Sequence, residues 1–185
     1  MSKNVGIIIG SLREGSYTRQ IAENIVPMLP EGYNAKYIEI GDLDLYNEDL
    51  ETDTPPESWT RFRNEMKDID SVIFFTPEYN RTVPATIVNA IDVGSRPYGS
   101  GIWDGKPAAV VSTSPGAISG FGANHHLRQS LVFVNMPTLA QPEVYLTGVN
   151  ELLDNQGKIH NESTLQFLQT FVDAFVEFAE KNSAS

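Results

Sequence analysis

The sequence contains no cysteine, which excludes disulfide bonds, thiolate metal sites and cysteine nucleophiles. Basic residues are scarce: 13 Lys and Arg stand against 24 Asp and Glu, so the formal net charge is −11. No basic stripe is present to neutralise a phosphate backbone, and we expect no nucleic-acid partner. No apolar run reaches the roughly 20 residues that span a bilayer, and no secretory segment precedes the first apolar run. These absences predict a cytoplasmic protein with no membrane partner.

The composition that is present suits one globular domain over residues 1–185, with 41% hydrophobic and 20% charged residues. Apolar runs and helical patterns alternate along the chain. We expect strands at 4–10, 35–40, 71–76, 107–113 and near 143–146, helices at 17–29, 57–67, 84–93, 125–134 and from 163 onward, a long loop at 41–54, and disorder only after Lys181. This alternation predicts an α/β fold, a doubly wound parallel sheet with helices on both faces. Five strands favour the flavodoxin-like order 2-1-3-4-5.

The first predicted strand runs straight into a loop of glycine and hydroxyl side chains, Gly10 to Thr18. Backbone N–H groups and the N-terminus of the following helix make such a loop a cradle for phosphate. It lacks the Lys-Ser/Thr of a Walker A motif and the G-x-G-x-x-G pattern, which argues against triphosphate hydrolysis and against a standard dinucleotide site. Ser11, Ser16, Thr18 and Arg13 are candidate phosphate ligands. The alternative is an ordinary β–α turn with serine as the helix cap.

Two further loops follow the third and fourth predicted strands. The loop at 76–84 places a polar segment between two prolines, where Tyr79 and backbone amides suit a flat heteroaromatic ring. The loop at 112–122 carries three glycines, which let the backbone approach a ligand closely. A rigid connection and a flexible solvent loop are the alternatives. Ligands of doubly wound sheets bind at the carboxyl ends of the strands, so we expect the three loops to form one site.

At these loops the sequence resembles the NAD(P)H-dependent FMN reductase family, which includes bacterial quinone, chromate and azo-dye reductases. The resemblance covers nearly the whole chain, in order. The matching strings are Gly-Ser-Leu-Arg-x-Gly-Ser-x-x-Arg at 10–19, Pro-Glu-Tyr-Asn at 77–80 with Pro84, Asn-Ala-Ile-Asp-x-x-Ser-Arg-Pro at 89–97 and, more weakly, Ser114-x-Gly116 and His126-Leu127-Arg128-Gln129.

This resemblance implies FMN as the cofactor and NAD(P)H as a co-substrate. It implies that the FMN phosphate is held by Ser11, Arg13, Ser16 and Thr18 with Tyr17 beside them, and that the flavin ring is bounded by Pro77, Glu78, Tyr79, Asn80, Ser114 and Gly116. Hydride passes from NAD(P)H to the flavin, and electrons then pass to a small-molecule acceptor such as a quinone, azo compound, free flavin or metal oxyanion, in a ping-pong cycle. The flavin carries this chemistry. No catalytic side chain and no metal site are therefore expected.

Three positions depart from the family pattern. Thr18 stands where asparagine is usual, while Gly122 and His125 stand where some quinone and chromate reductases have arginine and tyrosine in contacts between subunits. Glu143 still matches, and the resemblance implies a homodimer or homotetramer. An alternative function is a flavodoxin-type electron carrier without a nicotinamide site, and another is a non-catalytic regulatory or scaffold domain. The Pro-Glu-Tyr-Asn loop favours the reductase.

Overall fold

The computed structural model describes residues 2–183 and contains a five-stranded parallel sheet in the order β2-β1-β3-β4-β5. The strands are β1 Lys3–Ile9, β2 Tyr33–Ile38, β3 Ser71–Pro77, β4 Ala108–Thr113 and β5 Val144–Leu146. The α/β class and the order 2-1-3-4-5 expected from the sequence are confirmed. The helices are α1 Tyr17–Ile25, α2 Glu57–Lys67, α3 Ala85–Gly94, α4 Phe121–Phe133, α5 Val149–Leu152 and α6 Glu162–Asn182, with 3₁₀ turns at Val26–Met28 and Glu48–Leu50.

The inner strands are apolar along their length because helices cover both faces of the sheet. Successive residues of β1 point to opposite faces. Ile8 belongs to the core that packs under α2, α3 and α4, whereas Ile7 and Ile9 belong to the core under α1 and α6. The edge strand β2 is largely exposed, as its mixed polar and apolar sequence requires.

Several element boundaries differ from those expected. Helix α4 begins at Phe121 rather than at residue 125, because the left-handed Gly120 (φ 74°) starts it earlier. The α-helix expected over 17–29 ends at Ile25 and continues as the 3₁₀ turn around Pro27, a residue without an N–H to donate. The expected loop at 41–54 contains a 3₁₀ turn, and α5 was not predicted. Helix α6 extends to Asn182, while residues 184 and 185 of the predicted disordered tail lie outside the described residues.

A close contact between the end of β1 and the start of α3 sets the position of the first loop. A Cβ atom on Gly10 would lie 2.6 Å from Ile87 Cδ1, so only glycine fits there without displacement. The Thr86 hydroxyl donates a 2.9 Å hydrogen bond to the Gly10 carbonyl. The first loop therefore leaves the sheet at a fixed point beside β3.

Within residues 2–183, no helix has both the length and the apolar character that crossing a bilayer demands.

Candidate functional site

A cleft opens at the carboxyl edge of the sheet, where the loops after β1, β3 and β4 meet. Nine of the eleven predicted site residues line it: Ser11, Arg13, Ser16, Tyr17, Thr18, Pro77, Glu78, Tyr79 and Ser114. Thr113, Pro115 and Val149 complete the lining, although the sequence reasoning had not selected them. The three loops thus converge on one cleft, as the topology predicts.

The first loop gives this cleft an end suited to an anion. The backbone N–H groups of residues 12–15 have no acceptor within residues 2–183, and Gly15 adopts a left-handed φ of 69°. Ser16 is the helix cap that the alternative interpretation expected, since its Oγ accepts the Arg19 N–H at 3.3 Å. Its O–H proton is still free to donate. Capping and phosphate binding are therefore compatible at this serine.

Among residues 2–183, Arg13 is the one cationic side chain that lines the cleft. Its guanidinium donates to the Gly15 carbonyl at 3.2 Å and lies 5.3 Å from the centroid of the Tyr17 ring. It forms no ion pair with a carboxylate of the described chain. The guanidinium is therefore held near the cleft with its charge uncompensated.

Thr18 is buried, and its hydroxyl lies 2.9 Å from that of Thr113. One of the two hydroxyl groups donates to the other. The pair therefore has a single proton left to offer to a ligand, and Thr18 can donate only when Thr113 donates to it.

The second and third loops line the cleft with the less polar side chains of Pro77, Tyr79 and Pro115. Tyr79 is 47% exposed, and its backbone N–H and carbonyl both pair with Thr82 at 3.1 Å. Asn80 and Arg81 occupy the turn with left-handed φ values of 52° and 66°. The Tyr79 hydroxyl lies 3.5 Å from Ser11 Oγ, a long contact that joins the second loop to the first. Tyr79 is thus presented on a tight turn beside Pro77.

The Glu78 carboxylate faces helix α4. It accepts the Ala123 N–H at 3.1 Å and lies 3.4 Å from Arg81, and the Glu78 side chain is 9% exposed. A Cβ atom on Gly122 would lie 2.6 Å from the Arg81 carbonyl oxygen, so this departure from the family pattern allows the loop to press against the helix. Glu78 therefore positions the second loop through its side chain.

Two predicted residues do not line the cleft. Asn80 borders a neighbouring groove with Leu45, Tyr46 and Val88. The Gly116 N–H is taken by Ser114 Oγ at 3.0 Å, and its carbonyl accepts the Thr147 hydroxyl at 3.1 Å. These bonds hold the third loop at Gly116, while residues 115–118 are exposed to solvent.

His125 lies outside the cleft in an exposed cluster with aromatic neighbours. Its Nε2 is 2.8 Å from the Tyr145 hydroxyl and 3.7 Å from Glu143, and its ring lies 4.2 Å from that of Phe121. Burial, together with the neighbouring Glu143 carboxylate, raises the pKa of Tyr145 to about 12. The role of His125 and Gly122 in contacts between subunits stays a prediction.

Comparison with known proteins gives consistent matches. The family described as NADPH-dependent FMN reductase matches residues 3–151. A quinone reductase of Pseudomonas putida is 54% identical over 181 residues, covering 98% of this chain and 97% of that protein. A 2-hydroxy-1,4-benzoquinone reductase of a Burkholderia species is 36% identical over 175 residues, covering 95% of each. The solved structure of FerB, a flavoenzyme NAD(P)H:(acceptor) oxidoreductase from Paracoccus denitrificans, superposes with a TM-score of 0.92 at 40% identity, covering 98% of this chain and 100% of that one.

Proposed function

The chain belongs to the NADPH-dependent FMN reductase family, and from this membership we propose that it is an FMN-dependent oxidoreductase that takes electrons from NAD(P)H. Its acceptors are small molecules: quinones, azo compounds, flavins or metal oxyanions. The observation that carries the proposal is one cleft lined by three separate loops, with hydroxyl groups and Arg13 on the first loop and Pro77, Tyr79 and Pro115 on the other two.

The residues of the cleft fit FMN. The free N–H groups of residues 12–15, the hydroxyls of Ser11 and Ser16 and the Arg13 guanidinium suit a phosphate group. Tyr79, Pro77 and Pro115 supply walls for a planar ring system at the other end. A polar terminus and an aromatic platform in one cleft match a molecule that carries a phosphate at one end and a flat ring at the other.

FMN, when bound, supplies the two-electron redox chemistry that protein side chains do not provide. The task of the protein is to hold the flavin and to polarise its ring. The N–H group of Glu78, which lines the cleft, has no acceptor within residues 2–183, and a backbone donor of this kind stabilises negative charge that develops at a ring edge. The Glu78 carboxylate contributes indirectly, since its bond to Ala123 fixes the loop that carries this donor.

Reductant and acceptor use the same face of the site in turn, which gives ping-pong kinetics. The exposed Tyr79 leaves room for planar molecules of different sizes beside the second loop. The names of the relatives, quinone reductase and 2-hydroxy-1,4-benzoquinone reductase, favour quinones among the acceptors.

A homodimer or homotetramer is part of the proposal. At the end of α4, Phe133 is 87% exposed and Val132 is 74% exposed. Tyr98, which follows α3 in the sequence, is 93% exposed. Large apolar side chains so exposed on one side of a molecule favour contact with a second copy. Cytoplasmic location stays a prediction of the sequence.

The test is reduction of the purified, FMN-loaded protein by nicotinamide nucleotide without oxygen. Loss of the yellow flavin colour on adding NADPH or NADH supports the reductase. A yellow protein that dithionite reduces but neither nucleotide reduces would be the flavodoxin-type carrier. A protein that is purified without flavin and takes up no FMN would be the scaffold domain, and the proposal would be wrong.

A further inference from the structure

A second cleft lies on the opposite side of the first loop, between the carboxyl ends of β1 and β2. It is bordered by Arg13, Arg19, Tyr37, Glu39 and the turn at Gly41, among other residues. Ser11 and Arg13 border both this cleft and the proposed cofactor cleft. The two clefts are therefore adjacent and share side chains of the first loop.

The charges around the second cleft favour an anion. Arg13 and Arg19 form no ion pair within residues 2–183, although the chain as a whole carries a net charge of −11. Asp42 is neutralised by Arg61 at 2.7 Å. Two arginines thus face one uncompensated carboxylate, that of Glu39.

Neither Glu39 nor Glu23 forms an ion pair with Arg19 within residues 2–183. The Glu39 carboxylate accepts the Gly41 N–H at 2.7 Å, which holds it against its own turn. Burial raises the pKa of Tyr37, with a smaller contribution from the carboxylate of Glu23, which lies one turn along α1 from Arg19. Arg19 itself lies over the Tyr37 ring, 5.9 Å from its centroid.

We propose that the second cleft binds a phosphate group of the nicotinamide nucleotide, with Arg19 as its ligand and Tyr37 as the flat wall beside it. A guanidinium pairs with phosphate through two parallel hydrogen bonds. These bonds make the contact directional, in addition to the attraction between opposite charges. The carboxyl ends of parallel strands are where such sheets bind their ligands. The inference rests on the proposed function, because the nucleotide is the reductant of that reaction.

Two parts of the nucleotide could pair with Arg19 in this way: the 2′-phosphate, which only NADPH has, and the pyrophosphate, which NADPH and NADH both have. Arg19 distinguishes the second cleft from the first because it borders only the second. Arg13 borders both and would confound the test. Lys36 provides a matched control. It is an exposed cation on the edge strand β2, next to Tyr37, and it does not border the cleft.

The test is calorimetric titration of the FMN-loaded protein with adenosine 2′,5′-bisphosphate and, separately, with ADP. We expect Arg19→Ala to lower the affinity for at least one probe by about tenfold or more, the loss of one charge-assisted bond. Lys36→Ala is expected to bind both as the wild type does, and Arg19→Lys to bind with intermediate affinity. The FMN content of all variants should be unchanged.

The two probes separate the two sources of phosphate. A loss confined to the bisphosphate assigns the 2′-phosphate, and a loss that includes ADP assigns the pyrophosphate. Equal affinities in wild type and Arg19→Ala, equal losses in Arg19→Ala and Lys36→Ala, or no binding of either probe by the wild type would each overturn the inference. Where Arg19→Ala does not fold, Arg19→Lys with unaltered affinity for both probes would overturn it.

Failure of this inference differs from failure of the proposed function. If only the inference fails, NAD(P)H still bleaches the wild-type flavin, and the Arg19→Ala protein titrates like the wild type. If the proposed function fails, neither nucleotide bleaches the flavin of any variant.

Discussion

The Glu78 carboxylate accepts a 3.1 Å hydrogen bond from the N–H of Ala123, a residue 45 positions later in the chain. Ala123 lies in the first turn of α4, where helix N–H groups lack partners and an anion is stabilised by the helix dipole. The contact joins the loop after β3 to the helix after β4. The carboxylate therefore ties the second loop to α4, together with a contact between the Thr82 hydroxyl and His126 Nδ1.

Replacing this carboxylate should destabilise the protein. We expect Glu78→Ala to lower the free energy of unfolding by about 1–2 kcal/mol, the usual cost of losing a helix cap. Glu78→Gln keeps an acceptor oxygen and should lose less. Urea denaturation of the FMN-free proteins measures both. Unchanged stability of Glu78→Ala would show that the contact contributes nothing to folding.

Replacing Arg13 should weaken FMN binding. In the described part of the chain it is the one cation that lines the cofactor cleft, and a hydrogen bond to a charged group contributes roughly 1.5–3 kcal/mol. Arg13→Ala should therefore raise the Kd of FMN by about 10- to 150-fold, measured by fluorescence quenching of added FMN. Lys36→Ala, which removes a cation elsewhere on the surface, serves as the control. An unchanged Kd would mean that the backbone N–H groups and hydroxyls hold the phosphate alone.

Adding a methyl group at Gly122 should be unfavourable despite its place in a helix. Alanine in a helix is ordinarily more stable than glycine by about 0.5–1 kcal/mol. Here the new Cβ would lie 2.6 Å from the Arg81 carbonyl oxygen, and we expect a net loss of about 1–3 kcal/mol from overpacking. Ser130→Ala, further along α4, is the matched control. A stabilised Gly122→Ala protein would show that the second loop moves away easily.

Stability should fall between pH 10 and pH 12 in part because of Tyr145. Its pKa is raised to about 12 in the folded state by burial and by Glu143, whereas an unfolded tyrosine ionises near 10. The neutral phenol therefore stabilises the fold fully below pH 10, and this stability is lost as the pH rises through 12. Tyr145→Phe should show a smaller decline in urea midpoint over this range. Identical declines in both proteins would contradict the assignment.

The sheet and the meeting of the three loops followed from the sequence because they depend on local patterns. Buried parallel strands are continuous apolar runs, and the rule that ligands lie at carboxyl ends of strands then placed the three loops together. The residues that the sequence reasoning missed depend on distant contacts. Thr113 lines the cleft beside Thr18, a residue 95 positions away whose hydroxyl pairs with its own. No local sequence signal marks that pair.

The early start of α4 has the same explanation. Helical periodicity is clear only from residue 125, whereas the first turn depends on the left-handed Gly120 and on the distant Glu78 carboxylate. A Cβ on Gly120 would lie 3.0 Å from Ser112 Cβ, so the glycine also permits close packing against β4. A glycine-rich stretch is typical of a loop in a sequence, although here its second glycine, Gly120, begins a helix.

The measurement that tests the account most directly is a two-stage experiment without oxygen. NADPH is added to the FMN-loaded protein in stoichiometric amount, the nucleotide is removed by gel filtration, and benzoquinone is then added. We predict that the flavin colour is lost in the first stage, stays lost after filtration and returns with benzoquinone, because one cleft serves both molecules in turn. A flavin that keeps its colour with NADPH, or that stays reduced after benzoquinone is added, would contradict the account.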